Sequence, residues 1–240
     1  MSMKSTLVIN AKGGVGKTTI TTNLASYFAS RGVSTAIADY DPQSSSLNWL
    51  AQRSAEAPTI HGADLAPRAG LTLQNGRRQI PLSTRQLIID APAGPSRLLL
   101  QDLMQRTQSI LIPVAPSAID IHATANFIKE LLLVGQVRFR HIRVAVIANR
   151  VRNARPVYEP LERFVASLGI AFLTRVSDSD VYVDAAEKGL GIFDLPPEQC
   201  ASELREFQPI VQWLTGDSPV ESPAPAPEPS NVIQLNVARA

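Results

Sequence analysis

A glycine-rich turn near the start of the chain constrains it more than any other feature. Leu7-Val8-Ile9 runs into Asn10-Ala11-Lys12-Gly13-Gly14-Val15-Gly16-Lys17-Thr18-Thr19, and a helical pattern follows. Glycine lets the backbone turn tightly and bring its N–H groups close to an anion. A helix starting near Lys17 turns its positive dipole end toward the same point. Lys17 supplies a point charge suited to terminal phosphates, and Thr18 a hydroxyl suited to Mg2+. Strand, glycine loop and helix start in that order are the context of a phosphate-binding loop. Gly13, Gly14, Val15, Gly16, Lys17, Thr18 and Thr19 are therefore expected to bind a nucleoside triphosphate together with Mg2+.

The rest of the chain agrees with that local pattern. Short apolar runs at 7–9, 33–38, 87–89, 110–114, 144–148 and 170–173 lack strict polar alternation, as strands buried on both faces do. Helical stretches lie near 17–31, 46–54, 97–106, 118–134, 156–168, 178–188 and 197–214. Ser117–Asp120 and Ser177–Asp180 both have the spacing of a capping box. The alternation predicts an α/β fold, a doubly wound and mostly parallel sheet flanked by helices. Residues 55–85, rich in Pro, Gly and Arg, carry no clear pattern.

From Asp217 to Ala240 five prolines alternate with Ala, Ser and Glu, a composition that favours extended chain over a packed core. The expected division is a nucleotide-hydrolysing domain over 1–216 and a Pro-rich flexible tail over 217–240. No apolar run reaches the roughly 20 residues of a membrane span, and the first ten residues hold no signal-peptide stretch. Cys200 is the only cysteine of the 240 residues, which excludes a disulfide framework or a cysteine-held metal centre within one chain. A cytoplasmic protein is expected. His61, His122 and His141 are scattered, with neither metal spacing nor a nucleophile partner.

Ala11 stands where the strict loop pattern has its first glycine, and Lys12 follows. A second lysine at the loop mouth can fold back on its own nucleotide, reach one held by a facing subunit, or simply be solvated. The run Lys12–Thr19 resembles the deviant Walker A loop of the ParA/MinD superfamily. The resemblance covers about residues 4–214 and is strongest at 10–19, 39–43 and 90–94. It implies that Lys12 crosses a nucleotide-sandwich homodimer in the ATP state and stabilises phosphate charge in trans.

Further positions match the same superfamily. Ala38-Asp39-Tyr40-Asp41-Pro42-Gln43 resembles its first switch. Asp41 is then implied to orient the attacking water beside the metal, making it catalytic together with Lys12 and Lys17, while Asp39 supports the Mg2+ shell indirectly. Trp49 also fits the pattern, or is a core aromatic. Leu87-Ile88-Ile89-Asp90 has the form of a Walker B strand, so Thr18, Asp41 and Asp90 are the implied metal set. Ala91-Pro92-Ala93 departs from the usual double proline there. Asn149, at the end of an apolar strand, is implied to face the adenine, since an amide carries both a donor and an acceptor.

Residues 136–175 hold eight arginines against Glu159 and Glu162. Arg138, Arg140, Arg143, Arg150, Arg152 and Arg155 cluster around one strand, and arginine forks suit phosphate. Either they bind a polyanion or they form a solvated basic face with internal salt bridges. The resemblance implies non-specific DNA binding by the ATP dimer, nucleoid association, and a cargo-bound ParB-like or adaptor protein that stimulates hydrolysis. The cargo is a plasmid, a chromosome region or a large protein complex such as a carboxysome. The alternatives are a MinD-like membrane-cycling ATPase and a P-loop biosynthetic ligase. Asn231–Val237 is short and weakly basic for an interfacial anchor, so a membrane is not expected as a partner.

Overall fold

The computed structural model describes residues 3–67, 79–134, 141–152 and 158–216. They run as β1 (Lys4–Val8), α1 (Lys17–Ser30), β2 (Thr35–Asp39), α2 (Ser45–Ala51), β3 (Ile60–Asp64), β4 (Gln86–Asp90) and α3 (Arg97–Gln105). There follow β5 (Ser109–Val114), α4 (Ala118–Val134), β6 (Arg143–Val151), α5 (Glu159–Ser167), β7 (Ala171–Ser177), α6 (Asp180–Ala186) and α7 (Ala201–Thr215). The seven strands form one sheet in the order β3-β2-β4-β1-β5-β6-β7, and every pairing is parallel. The expected doubly wound architecture is the observed one.

Two separate cores explain why the central strands read as unbroken apolar runs. Leu7, Ile9, Leu87, Ile89, Ile110 and Ile112 pack on one face against Leu103 of α3, Ile128 of α4 and Val165 of α5. Val8, Ile37, Ile88 and Leu111 point the other way, toward Leu24 of α1, Trp49 of α2, Tyr182 of α6 and Phe207 of α7. Successive strand residues alternate faces, so a strand with helices on both sides must be apolar at every position.

Some local expectations needed correction. β3 was not anticipated in the unpatterned 55–85 stretch. It is an edge strand, and Ile60 and Ala63 are its only buried hydrophobic side chains. Ser117 caps α4 as expected, its Oγ accepting the Asp120 N–H at 3.1 Å. Ser177 does not open a helix. It closes β7, and its hydroxyl donates to Glu206 of α7 at 2.8 Å. Ser179 is the cap of α6 instead, accepting the Val181 N–H at 3.3 Å. The stretch expected from 197 splits into a 3-10 turn at Pro197–Gln199 and α7. Arg138, Arg140, Arg155 and the tail from 217 lie outside the described residues.

Candidate functional site

β1 lies in mid-sheet between β4 and β5, so the loop that follows it crosses the carboxyl edge where such sheets bind ligands. Asn10 fastens the start of this loop. It is fully buried, and its Nδ2 donates to Pro113 O at 2.8 Å and Thr124 Oγ1 at 3.0 Å. Its Oδ1 accepts the Lys12 N–H at 3.1 Å. Gly14 and Gly16 adopt φ of +76° and +85°, a left-handed backbone that side chains disfavour. A Cβ at Gly16 would also meet Asn149 Nδ2 at 2.1 Å. No side chain caps the N-terminus of α1 among the described residues, so its first N–H groups are available to an anion.

Lys17 is buried at the head of α1, its ammonium donating to Lys12 O at 3.3 Å. Burial pulls its pKa down, and the charges of Asp90 and Asp41 oppose that shift. Asp90 ends β4 beside Asp39 at the end of β2, in direct register. Thr18 Oγ1 donates to Asp90 Oδ2 at 3.0 Å. The other oxygen, Oδ1, is buried with no hydrogen-bond partner among the described residues. Burial, then Asp39, push the Asp90 carboxyl up to about 7, and Thr18 and Lys17 only partly offset this. A carboxylate oxygen buried without a donor suits a hard divalent cation, and the oxygen set of Thr18 and Asp90 fits Mg2+.

The two switch carboxylates have different surroundings. Asp39 is fully buried and acts as a structural brace. Its Oδ1 accepts the Asp41 N–H at 2.9 Å, and its Oδ2 accepts the Ser46 hydroxyl at 2.6 Å and the Ser46 N–H at 3.2 Å. That carboxylate fixes the start of α2 and the turn that presents Asp41. Asp41 is half-buried, with Oδ1 accepting the Gln43 N–H at 2.9 Å. Its charge acts on both Lys17 and Asp90, which places it at the same site.

Lys12 lies at the outer lip with its side chain 49% exposed, and its ammonium pairs with Asp120 of α4 at 3.5 Å. Asn149 is buried, and its Nδ2 donates to Val15 O at 2.8 Å. A cleft of about 750 Å3 runs from Gly16, Thr18 and Thr19 past Asn149 to Ser177 and Asp178. Trp49 is a core aromatic whose Nε1 donates to Leu190 O at 3.1 Å. The structure thus brings Lys12, Gly13–Thr19, Asp41, Asp90 and Asn149 around one loop. Sequence reading missed the supports of that loop: Asn10, Asp120 and Asp178. The contacts that make them supports reach residues distant in the chain, such as Pro113 and Thr124 for Asn10 and Lys12 for Asp120, so local spacing does not show them.

Among the described residues, the arginines of this stretch are engaged within the fold. Arg143 stacks on Trp213 at 4.6 Å and donates to the α7 carbonyls of Trp213 at 2.7 Å and Leu214 at 3.3 Å. It therefore closes a helix end. Arg150 and Arg152 both pair with Asp178, and Arg175 pairs with Glu162.

Residues 6–192 match the family described as the CobQ/CobB/MinD/ParA nucleotide binding domain. The chain belongs to that family. The resemblance carried by Lys12–Thr19 holds at this level. This member of the CobQ/CobB/MinD/ParA family is 28% identical over 193 residues to the maintenance of carboxysome distribution protein A of Halothiobacillus neapolitanus. That match covers 78% of this chain and 86% of the relative. Among solved structures, it is similar to the MinC:MinD cell division protein complex of Aquifex aeolicus, with TM-score 0.67 and 18% identity over 90% of this chain and 97% of that one. It is also similar to a putative plasmid partition protein of Borrelia burgdorferi bound to AMPPNP, with TM-score 0.66 and 14% identity over 90% and 100% of the two chains. At those identities the likeness shows the family fold.

Proposed function

We propose that this protein is a Mg2+-dependent ATPase that positions a large intracellular cargo, and that the cargo is a carboxysome. The relative from Halothiobacillus neapolitanus, whose name states that role, supports the choice of cargo. Lys17 and the loop N–H groups bind the triphosphate. Thr18 and Asp90, with Asp41 nearby, hold Mg2+, which when bound neutralises phosphate charge. Asp41, on a turn fixed by Asp39, orients the attacking water. Asn149, on the cleft wall, faces the purine.

The single observation that carries the assembly cycle is the state of Lys12. Its ammonium is half-exposed in a single 3.5 Å pair with the more buried Asp120, and a long pair open to water on the lysine side contributes only about 1 kcal/mol. Releasing the ammonium to a triphosphate on a facing copy is therefore cheap. Two copies then close across two nucleotides, and hydrolysis parts them. The ATP dimer binds DNA without reading bases and associates with the nucleoid. Arg152, with 76% of its side chain exposed, supports such a contact even while it pairs with Asp178. A cargo-bound adaptor stimulates turnover. Residues 1–216 form the ATPase domain, and 217–240 its tail.

Light scattering on Asp41→Ala with and without Mg–ATP tests the cycle. A doubled mass with ATP, together with retarded duplex DNA at low salt, is the expected result. An unchanged monomer mass in both conditions removes the sandwich dimer. Liposome flotation with ATP distinguishes DNA from membrane cycling.

A further inference from the structure

Two adjacent residues at the end of β6 grip the phosphate loop from outside. Asn149 Nδ2 donates to Val15 O at 2.8 Å, and Arg150 Nη1 donates to Gly14 O at 3.2 Å. A loop turns consecutive N–H groups toward a phosphate only by turning carbonyls away from it, and outward carbonyls need donors of their own. Arg150 holds its backbone at φ +59°, in the left-handed region that residues with a Cβ rarely adopt. Strain of this kind clusters at functional sites.

The same guanidinium has a second anchor. Its Nε donates to Asp178 Oδ1 at 3.2 Å, while Asp178 Oδ2 accepts Arg152 Nε at 2.7 Å. The Asp178 N–H donates back to Val151 O at 3.1 Å. The hydrogen bond from Arg152, more than that from Arg150, holds the Asp178 carboxyl below the usual carboxylate range against burial. Arg150 and Asp178 both line the cleft that starts at the loop. Sequence reading grouped Arg150 with arginines suited to a polyanion, and the fold gives it different partners.

We propose that Arg150 is a positioning residue for nucleotide binding, bridging Gly14 O and Asp178. It keeps the crown of the loop turned with its N–H groups inward, and it ties the loop to the β7–α6 turn on the far wall of the cleft. It acts through the Gly14 carbonyl and touches no reacting atom. A lysine cannot replace it, because one ammonium lacks the planar fork that reaches two acceptors at fixed angles. This inference rests on the reading of the loop as the ATP site.

The test uses the full chain as wild type, Arg150→Ala, Arg150→Lys, Arg150→Gly and Asp178→Asn. Fluorescent ATP and ADP affinities, kcat and KM, apo melting temperature, and DNA retardation at saturating ATP are measured. Arg150→Ala, Arg150→Lys and Arg150→Gly are each expected to weaken both nucleotides about tenfold, the loss of one charge-assisted hydrogen bond that orders the loop. KM rises, while kcat, melting temperature and DNA retardation stay near wild type. Asp178→Asn shifts affinity in the same direction by less. Arg150→Gly keeps the left-handed backbone, so wild-type affinity in that variant would overturn the role of the side chain. Full rescue by Arg150→Lys would show that charge alone suffices and overturn the bridge. DNA retardation lost with nucleotide affinity intact would reassign Arg150 to DNA and overturn the proposal. Should Arg150→Ala fail to fold, Arg150→Lys and Asp178→Asn carry the same comparison. Wild-type protein that binds no ATP would sink the site reading itself, whereas equal affinity in wild type and variants would sink only Arg150.

Discussion

Asp90→Asn isolates the electrostatic cost built into the proposed metal position. In the fold the Asp90 carboxyl titrates at about 7 against an ordinary 3.8, chiefly because it is buried and next because Asp39 lies beside it. The folded chain therefore keeps a proton on Asp90 that the unfolded chain has already lost. Stability from this group is full below about pH 4, falls as pH rises through that window, and levels above about pH 7. At about 1.4 kcal/mol per tenfold change in proton affinity, the whole swing is at most roughly 4 kcal/mol. Between pH 5 and pH 8 it amounts to about 2–3 kcal/mol. Asparagine still offers an oxygen to the Thr18 hydroxyl and carries no charge, so the variant escapes this loss. The assay is urea unfolding of both proteins in EDTA, without nucleotide, at pH 5, 6, 7 and 8. The variant should gain on wild type by 2–3 kcal/mol across that range, and lose the extra stability that Mg2+ adds to ATP at pH 8. Parallel pH curves for the two proteins would refute the reasoning, because Asp90 would then ionise in the fold as readily as in the unfolded chain.

Other expectations follow from the same geometry. Lys17→Ala removes the buried ammonium and should abolish ATP binding in calorimetry at micromolar protein. Lys12→Ala should take up nucleotide within about threefold of wild type, since the half-exposed ammonium pairs with Asp120 and not with Asp90, yet lose dimerisation in light scattering and turnover in a phosphate-release assay. Gly16→Ala places a methyl where Asn149 Nδ2 sits, on a backbone at φ +85°. Nucleotide affinity should fall at least tenfold, read by fluorescent ATP. Arg53 and Asp194 form an almost fully buried bidentate pair at 2.8 and 2.9 Å. Arg53→Ala leaves that carboxylate without its counter-charge and should cost about 3 kcal/mol in urea unfolding.

The fold was readable where the chain carries its own periodicity. Alternating faces of β1, β2, β4 and β5 feed two cores, so their unbroken apolar runs announced a covered parallel sheet. β3 was missed because an edge strand with two buried hydrophobic side chains, Ile60 and Ala63, leaves little hydrophobic trace. The cap of α6 was placed two residues early because Ser177 and Ser179 look alike in one dimension. Only Glu206, from a helix nearly thirty residues on, claims the Ser177 hydroxyl.

The sequence by itself determined the phosphate loop, its lysines and the aspartates at strand ends. These are contiguous patterns whose chemistry depends on residue type and local backbone. Tertiary structure alone decided what each charge faces: Asp120 for Lys12, the α7 carbonyls for Arg143, and Gly14 O with Asp178 for Arg150. Charge and hydrogen-bond energies depend on distances of a few ångströms between residues up to 136 positions apart. Spacing along a chain does not contain those distances, and the fold supplies them.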